Sequence, residues 1–167
     1  GEKLEYEEIK QNYPEIINLA NKYYDLVFVD LDAELGEAIT EQILQNSNLV
    51  IANLSQRLVS INKFMELREE QPMFNSKKIL LLINRYDKFS KYTIKNITRY
   101  MGEKNKVLTI PYNTLFFEAC EEAKVPDLFL RLRRSIDEED RNYIFIQEVK
   151  RASDAIIYRL QDLAMKM

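Results

Sequence analysis

Tyr24-Asp25-Leu26-Val27-Phe28-Val29-Asp30-Leu31-Asp32-Ala33-Glu34-Leu35-Gly36 is the stretch on which the reading of the fold turns. Its apolar run starts at Leu26, is rich in β-branched and aromatic side chains, and ends on Asp30, with a second acid at Asp32. Such a run reads as a strand at 26–31 buried on both faces, the kind found in parallel sheets covered by helices. Open α/β sheets bind ligands at the carboxyl ends of their strands. Asp30 and Asp32 are therefore candidate catalytic carboxylates, and Asp30 could hold magnesium, directly or through water, because hard cations favour oxygen ligands. The plain alternative is a buried strand followed by an acidic turn.

Outward from this stretch, the chain alternates between helix and strand patterns. Residues 4–23 read as a helix with Pro14 in its first turn, and 37–46 as a second helix with Ile39, Ile43 and Leu44 on one face. Leu49 to Leu54 is the next apolar strand, introduced by the turn-forming Asn46-Ser47-Asn48. A helix follows over 60–70, and Pro72 ends that region. Lys78 to Asn84 is a strongly apolar strand, followed by a polar loop over 85–91 and a helix at 93–101 that Gly102 can terminate. Val107 to Ile110 is a fourth short strand stopped by Pro111. Short helices at 114–123 and 127–134, separated at Val125-Pro126, lead to a long amphipathic helix over 138–165. Strands alternating with helices imply an α/β domain with a mostly parallel sheet of about four strands flanked by helices. No repeat, low-complexity tract or internal domain boundary is evident in the sequence, which reads as one domain over 1–167.

Composition narrows the chemistry. The 167 residues are 46% apolar and 31% charged, with a net charge of −3. With a pI near 5.3, the chain offers no general attraction for nucleic acid or anionic lipid. Arg131, Arg133 and Arg134 are open to two readings, phosphate contacts or a solvated, salt-bridged face. The absence of histidine excludes imidazole acid–base chemistry and histidine metal sites, and the lone Cys120 excludes an internal disulfide. No run has membrane-spanning length, and the long last helix mixes Glu148, Asp154 and Asp162 among its basic residues, which suits docking on the domain better than lying on lipid. A cytoplasmic location is the expectation.

Each expected strand ends in a polar group: Asp30 and Asp32, then Asn53, Asn84, and Pro111-Tyr112-Asn113. An amide such as that of Asn84 presents one acceptor and two donors to a purine edge. In this order the segments resemble the MinD/ParA-like P-loop ATPases. Tyr24 to Asp30 looks like their Walker B strand. Leu49-Val50-Ile51-Ala52-Asn53-Leu54 and the helix beginning Leu58-Val59-Ser60-Ile61 are similar to the elements that follow it. Ile79-Leu80-Leu81-Leu82-Ile83-Asn84-Arg85-Tyr86 resembles the strand that carries a base-contacting asparagine. Ile110-Pro111-Tyr112-Asn113 resembles the adenine-side loop. Within the family the likeness is strongest to the CpaE-like branch, associated with pilus assembly and placement.

The resemblance implies ATP and magnesium as cofactors of an intact parent, with Asn84, Arg85, Pro111 and Tyr112 on the nucleotide and Asp30 on the metal. It implies a possible homodimer, protein partners of a pilus or partitioning system, and an N-terminal region of the same protein as an intramolecular partner. These residues contain no glycine-rich phosphate loop, since glycine occurs only at positions 1, 36 and 102. Hydrolysis is accordingly not expected here, and nucleotide affinity is expected to be millimolar at best, about 4 kcal/mol. Asp87, three residues after Asn84, leaves a guanine-reading alternative. A non-catalytic α/β interaction or regulatory module is the alternative function. Without a phosphate-loop strand, the strands at 26–31 and 49–54 are expected to pair directly and close a four-stranded sheet; insertion of a partner's segment between them is the other repair.

Overall fold

Val50–Ser55 (β1), Ile79–Tyr86 (β2) and Leu108–Pro111 (β3) form an open parallel sheet in the order β1-β2-β3. This computed structural model describes residues 11–31, 37–134, 137–140 and 142–165. The fold is α/β, with helices between and around the strands as the alternating pattern requires. Among the described residues the sheet has three strands rather than four. The chain divides between Ser47 and Asn48 into two compact units.

The first unit contains α1 (Tyr13–Tyr23) and α2 (Ala38–Asn46). Pro14 sits in the first turn of α1, where its missing N–H costs nothing, and the Tyr24 amide closes the helix on Ala20 O at 2.9 Å. Ser47 ends α2 by bonding Ile43 O through both its Oγ (2.7 Å) and its amide (3.0 Å). Thr40, Ile43 and Leu44 are the buried residues of α2. The beginning of the expected first helix, 4–10, lies outside the described residues.

The expected strand at 26–31 is not formed. The segment has no ladder hydrogen bonds among the described residues, and its side chains are largely open, with Phe28 71% and Leu26 43% exposed. Its direct pairing with 49–54 is likewise absent, and β1 has β2 as its one neighbour among the described residues. The reason is that strand propensity describes fit to a pleated, half-buried surface and becomes structure only beside a partner strand. An apolar run names the side chains that want burial but supplies no ladder.

In the second unit, β1 leads through α3 (Leu58–Glu70) and a single 3-10 turn (Pro72–Asn75) to β2. The β1–β2 register runs from Val50 beside Ile79 to Ser55 beside Asn84. Burial alternates along β2, with Ile79, Leu81 and Ile83 at 7%, 4% and 0% exposure and Leu80 and Leu82 half-buried. The strand also runs two residues further than the apolar pattern, to Tyr86. α4 (Ile94–Tyr100) carries the chain to β3. It ends on Gly102 at φ +62°, with Glu103 N donating to Thr98 O at 2.9 Å and Gly102 N to Arg99 O at 3.2 Å. That is a left-handed helix stop of the kind glycine accommodates without strain.

α5 (Thr114–Glu121), α6 (Val125–Arg134) and α7 (Tyr143–Ala164) complete the unit. Ala119, Leu128 and Leu132 are buried together, with Leu115, Phe116, Val125 and Ile146 against them. Phe116, Phe129 and Phe145 cluster, with centroids 5.4–6.4 Å apart. α7 packs on β3. It begins at 143 rather than 138 because Asp137 and Asp140 turn the backbone instead. Their carboxylates accept from Glu139 N (3.3 Å) and Asn142 N (2.7 Å), local bonds that compete with helix. α6 starts one residue before Pro126, which the first turn of a helix tolerates.

Candidate functional site

The parallel register brings the carboxyl ends of the three strands to one edge of the sheet. Ser55 stands beside Asn84, and Tyr86 beside Pro111. Of the residues proposed for nucleotide binding, Asn84, Arg85 and Pro111 therefore belong to one row, and Tyr112 follows directly. Asn84 is half-buried, Arg85 is exposed, and Tyr112 is 54% exposed. Arg85 takes φ +48°, a left-handed backbone that an arginine adopts only at a cost of about 1 kcal/mol. That residue interrupts the β2–β3 ladder between Ile83 and Tyr86.

The loop after β2 is held from β1. Gln56 uses its whole amide: Nε2 donates to Asp87 O (3.0 Å) and Tyr92 O (2.7 Å), and Oε1 accepts from Asp87 N (2.8 Å). Tyr86 Oη accepts from Ile94 N at 3.0 Å, so the strand's last residue also anchors the start of α4. Thr93 caps that helix, accepting from Asn96 N at 3.3 Å. Asp87 Oδ1 accepts from Phe89 N at 2.9 Å, closing a turn within the loop. Phe89 itself is 87% exposed.

Asn113, after β3, is committed in two directions. Its side chain caps α5 by accepting from Phe116 N (2.9 Å), and its Nδ2 donates to Asn142 Oδ1 (2.8 Å). Asn142 is buried at 7% exposure and also donates from Nδ2 to Asp140 Oδ1 at 2.8 Å. Asn53 is exposed in mid-strand, because β1 continues to Ser55, and does not stand at the strand end.

Asp30 is exposed and belongs to the first unit; Asp32 lies outside the described residues. Among the described residues no group of three or more His, Cys, Asp or Glu side chains is placed to hold a metal ion. Magnesium on Asp30 would take its remaining ligands from water and nucleotide phosphates, as that ion commonly does. Arg131 and Arg133 are exposed on α6.

Gln56 and Asn142 escaped the sequence reading. The signal for Gln56 was its place one residue past the end of an apolar strand, but its partners are 31 and 36 residues away. Asn142 sits in an acidic run whose helix-forming composition masked a turn.

No protein-family model, curated protein or solved structure matches the chain. The fold and the row of polar groups at its carboxyl edge define an α/β domain with an open parallel sheet. No helix among the described residues is long and apolar enough to cross a membrane.

Proposed function

We propose that this chain is the C-terminal portion of a MinD/ParA-like, CpaE-type ATPase that serves in positioning or assembly of the pilus or partitioning kind, in the cytoplasm. On this reading the carboxyl edge is its adenine side. Asn84 offers its amide to the base, Arg85, Pro111 and Tyr112 flank it, and Asp30 acts on the magnesium with Asp32 beside it in sequence. The observation that carries the reading is the outer edge of β1. This is an apolar strand of six residues with a ladder partner on one side only among the described residues. In the family arrangement that outer position belongs to the phosphate-loop strand, between the strand resembling 26–31 and the one resembling 49–54. Its absence from these residues also accounts for an apolar 26–31 run that finds no ladder.

Nucleotide titration of the full-length natural protein tests this. ATP binding with preference over GTP is expected, weakened by about 1–2 kcal/mol in Asn84→Ala and little changed in Asp87→Ala. Asp30→Asn should reduce magnesium-dependent hydrolysis far more than Asp32→Asn. These 167 residues alone should bind ATP no better than millimolar. A full-length protein that binds neither nucleotide sinks the reading. A non-catalytic interaction module would then stand. It is favoured by an edge at which the Gln56 and Asn113 amides are spent on internal bonds while Phe89 and Val59 lie 87% and 63% exposed.

A further inference from the structure

A second candidate site lies at the opposite end of the sheet. A cavity of about 650 Å³ opens where the chain enters β2 and β3, walled by the end of α3, the turn before β2, the loop before β3 and the middle of α7. That volume is in the range of small-molecule sites, about 300–1,000 Å³. Its lining carries five basic side chains against two acidic ones, in a protein whose net charge is −3. The floor is apolar, from Ile79 to Leu81, and the exposed ring of Tyr158 stands at the rim.

The two acids are already engaged. Glu103, whose side chain is 5% exposed, is paired with Arg68 and also accepts from Asn105 N at 2.8 Å. Asp154 pairs with Lys150 at 2.8 Å on the surface of α7. Among the described residues Arg151 pairs only with Glu148, at 2.7 Å, in an exposed contact of the kind that holds weakly. Lys106 is exposed and pairs with no carboxylate among the described residues. Two wall atoms, Arg68 Nε and Ser76 Oγ, are buried and have no hydrogen-bond partner among the described residues. A buried donor without an acceptor is costly, and a hydroxyl turns toward one by rotation about a single bond.

We propose that this cavity binds a small organic anion, an acid head on an apolar or aromatic body. The head would meet Lys106, Arg151 and a reoriented Ser76 hydroxyl, and the body would cover Leu80 and lie against Tyr158. Phosphate and carboxylate heads share this chemistry. The site uses none of the carboxyl-edge residues and does not depend on the nucleotide reading.

The test is an NMR titration of the whole chain with phenyl phosphate and with benzoate, and with benzyl alcohol as the neutral control. Saturable shifts confined to residues 75–81, 103–106 and 147–159 are expected for at least one acid, the tighter one identifying the head group. The Lys106→Ala/Arg151→Ala double variant should weaken binding about tenfold, as loss of charge-assisted contacts does. Ser76→Ala should weaken it about fivefold while leaving melting temperature unchanged or raised, which a merely structural serine would not do. Equal shifts with benzyl alcohol, shifts scattered over surface lysines, variants that bind as well as the parent chain, or no saturation by about 20 mM would each overturn the proposal. ATP carries an acid head too, so its binding here would be weakened in the double variant and unchanged in Asn84→Ala, the reverse of the carboxyl-edge pattern.

Discussion

Replacing Gln56 should loosen the β2–α4 loop more than any single change within the loop. Its amide forms three hydrogen bonds to the backbone of Asp87 and Tyr92, at 2.7–3.0 Å. At about 0.5–1.5 kcal/mol net apiece, they would total about 1.5–4.5 kcal/mol. The loop is partly open to water, which re-forms some of what is lost, so Gln56→Ala is expected to cost about 1–2 kcal/mol. Hydrogen exchange at the Asp87 amide, which donates to Oε1, is the direct assay. Its protection should fall about 5–30-fold, the factor that such an energy implies. Gln56→Glu sharpens the test. At neutral pH its carboxylate still accepts from Asp87 N but sets negative charge against two carbonyl oxygens, so it should be worse than alanine. Those carbonyls favour the neutral acid and raise its folded pKa. The deficit should therefore shrink as pH falls through that raised value toward the ordinary glutamate range, about 4.3. If all three proteins exchange the Asp87 amide at the same rate, the loop is not held by Gln56 and the account of the carboxyl edge is wrong.

Ala123 stands at φ +55° where α5 ends, with Lys124 N donating to Ala119 O at 2.8 Å, so it occupies the position glycine fills after α4. Ala123→Gly should raise stability by about 0.5–1 kcal/mol in urea unfolding, and Gly102→Ala should lower it by about 1 kcal/mol, from backbone strain alone because no atom lies within 4 Å of the added carbon. Burial opposes charge on Glu103, but hydrogen bonds from the Arg68 side chain and the Asn105 amide, with the nearby guanidinium charge, outweigh it and hold its pKa below the usual range. With the folded value depressed, its contribution is full above the unfolded value of about 4.3 and lost as pH falls through the folded one; a pH series of denaturant midpoints should show that acid limb flattened in Glu103→Gln, with about 1–2 kcal/mol lost at neutral pH, as for one charge-assisted contact. Asn113→Ala removes both the cap on α5 and a donor to buried Asn142, and should cost about 2–3 kcal/mol by thermal unfolding, against about 1 kcal/mol if only the cap matters.

What the sequence determined by itself was local. The apolar core of β2, the stop at Gly102 with its positive φ, and Pro14 in the first turn of α1 all follow from side-chain pattern and backbone sterics within a few residues. The alternation of strands and helices was enough for an α/β sheet with parallel strands, because parallel neighbours need helical crossovers. The same local reading misjudged 26–31. Its residues are as strand-like as those of β1, and no pattern within them tells whether a ladder partner exists. The start of α7 slipped for a related reason, since Asp137 and Asp140 chose turns over a helix that periodicity alone would extend. Tertiary structure alone decided which polar groups at the carboxyl edge are free. Asn84 remains half-buried in the row, whereas Asn113 and Gln56 are consumed by contacts 29 and 31 residues distant. It also decided where the basic residues gather. Lys106 and Arg151 are 45 positions apart in a chain of interspersed charges and meet at one cavity only because α7 packs across β3. Periodicity gives each element its apolar side; which elements then meet depends on packing and pairing energies summed over the whole chain, and no window of sequence contains that sum.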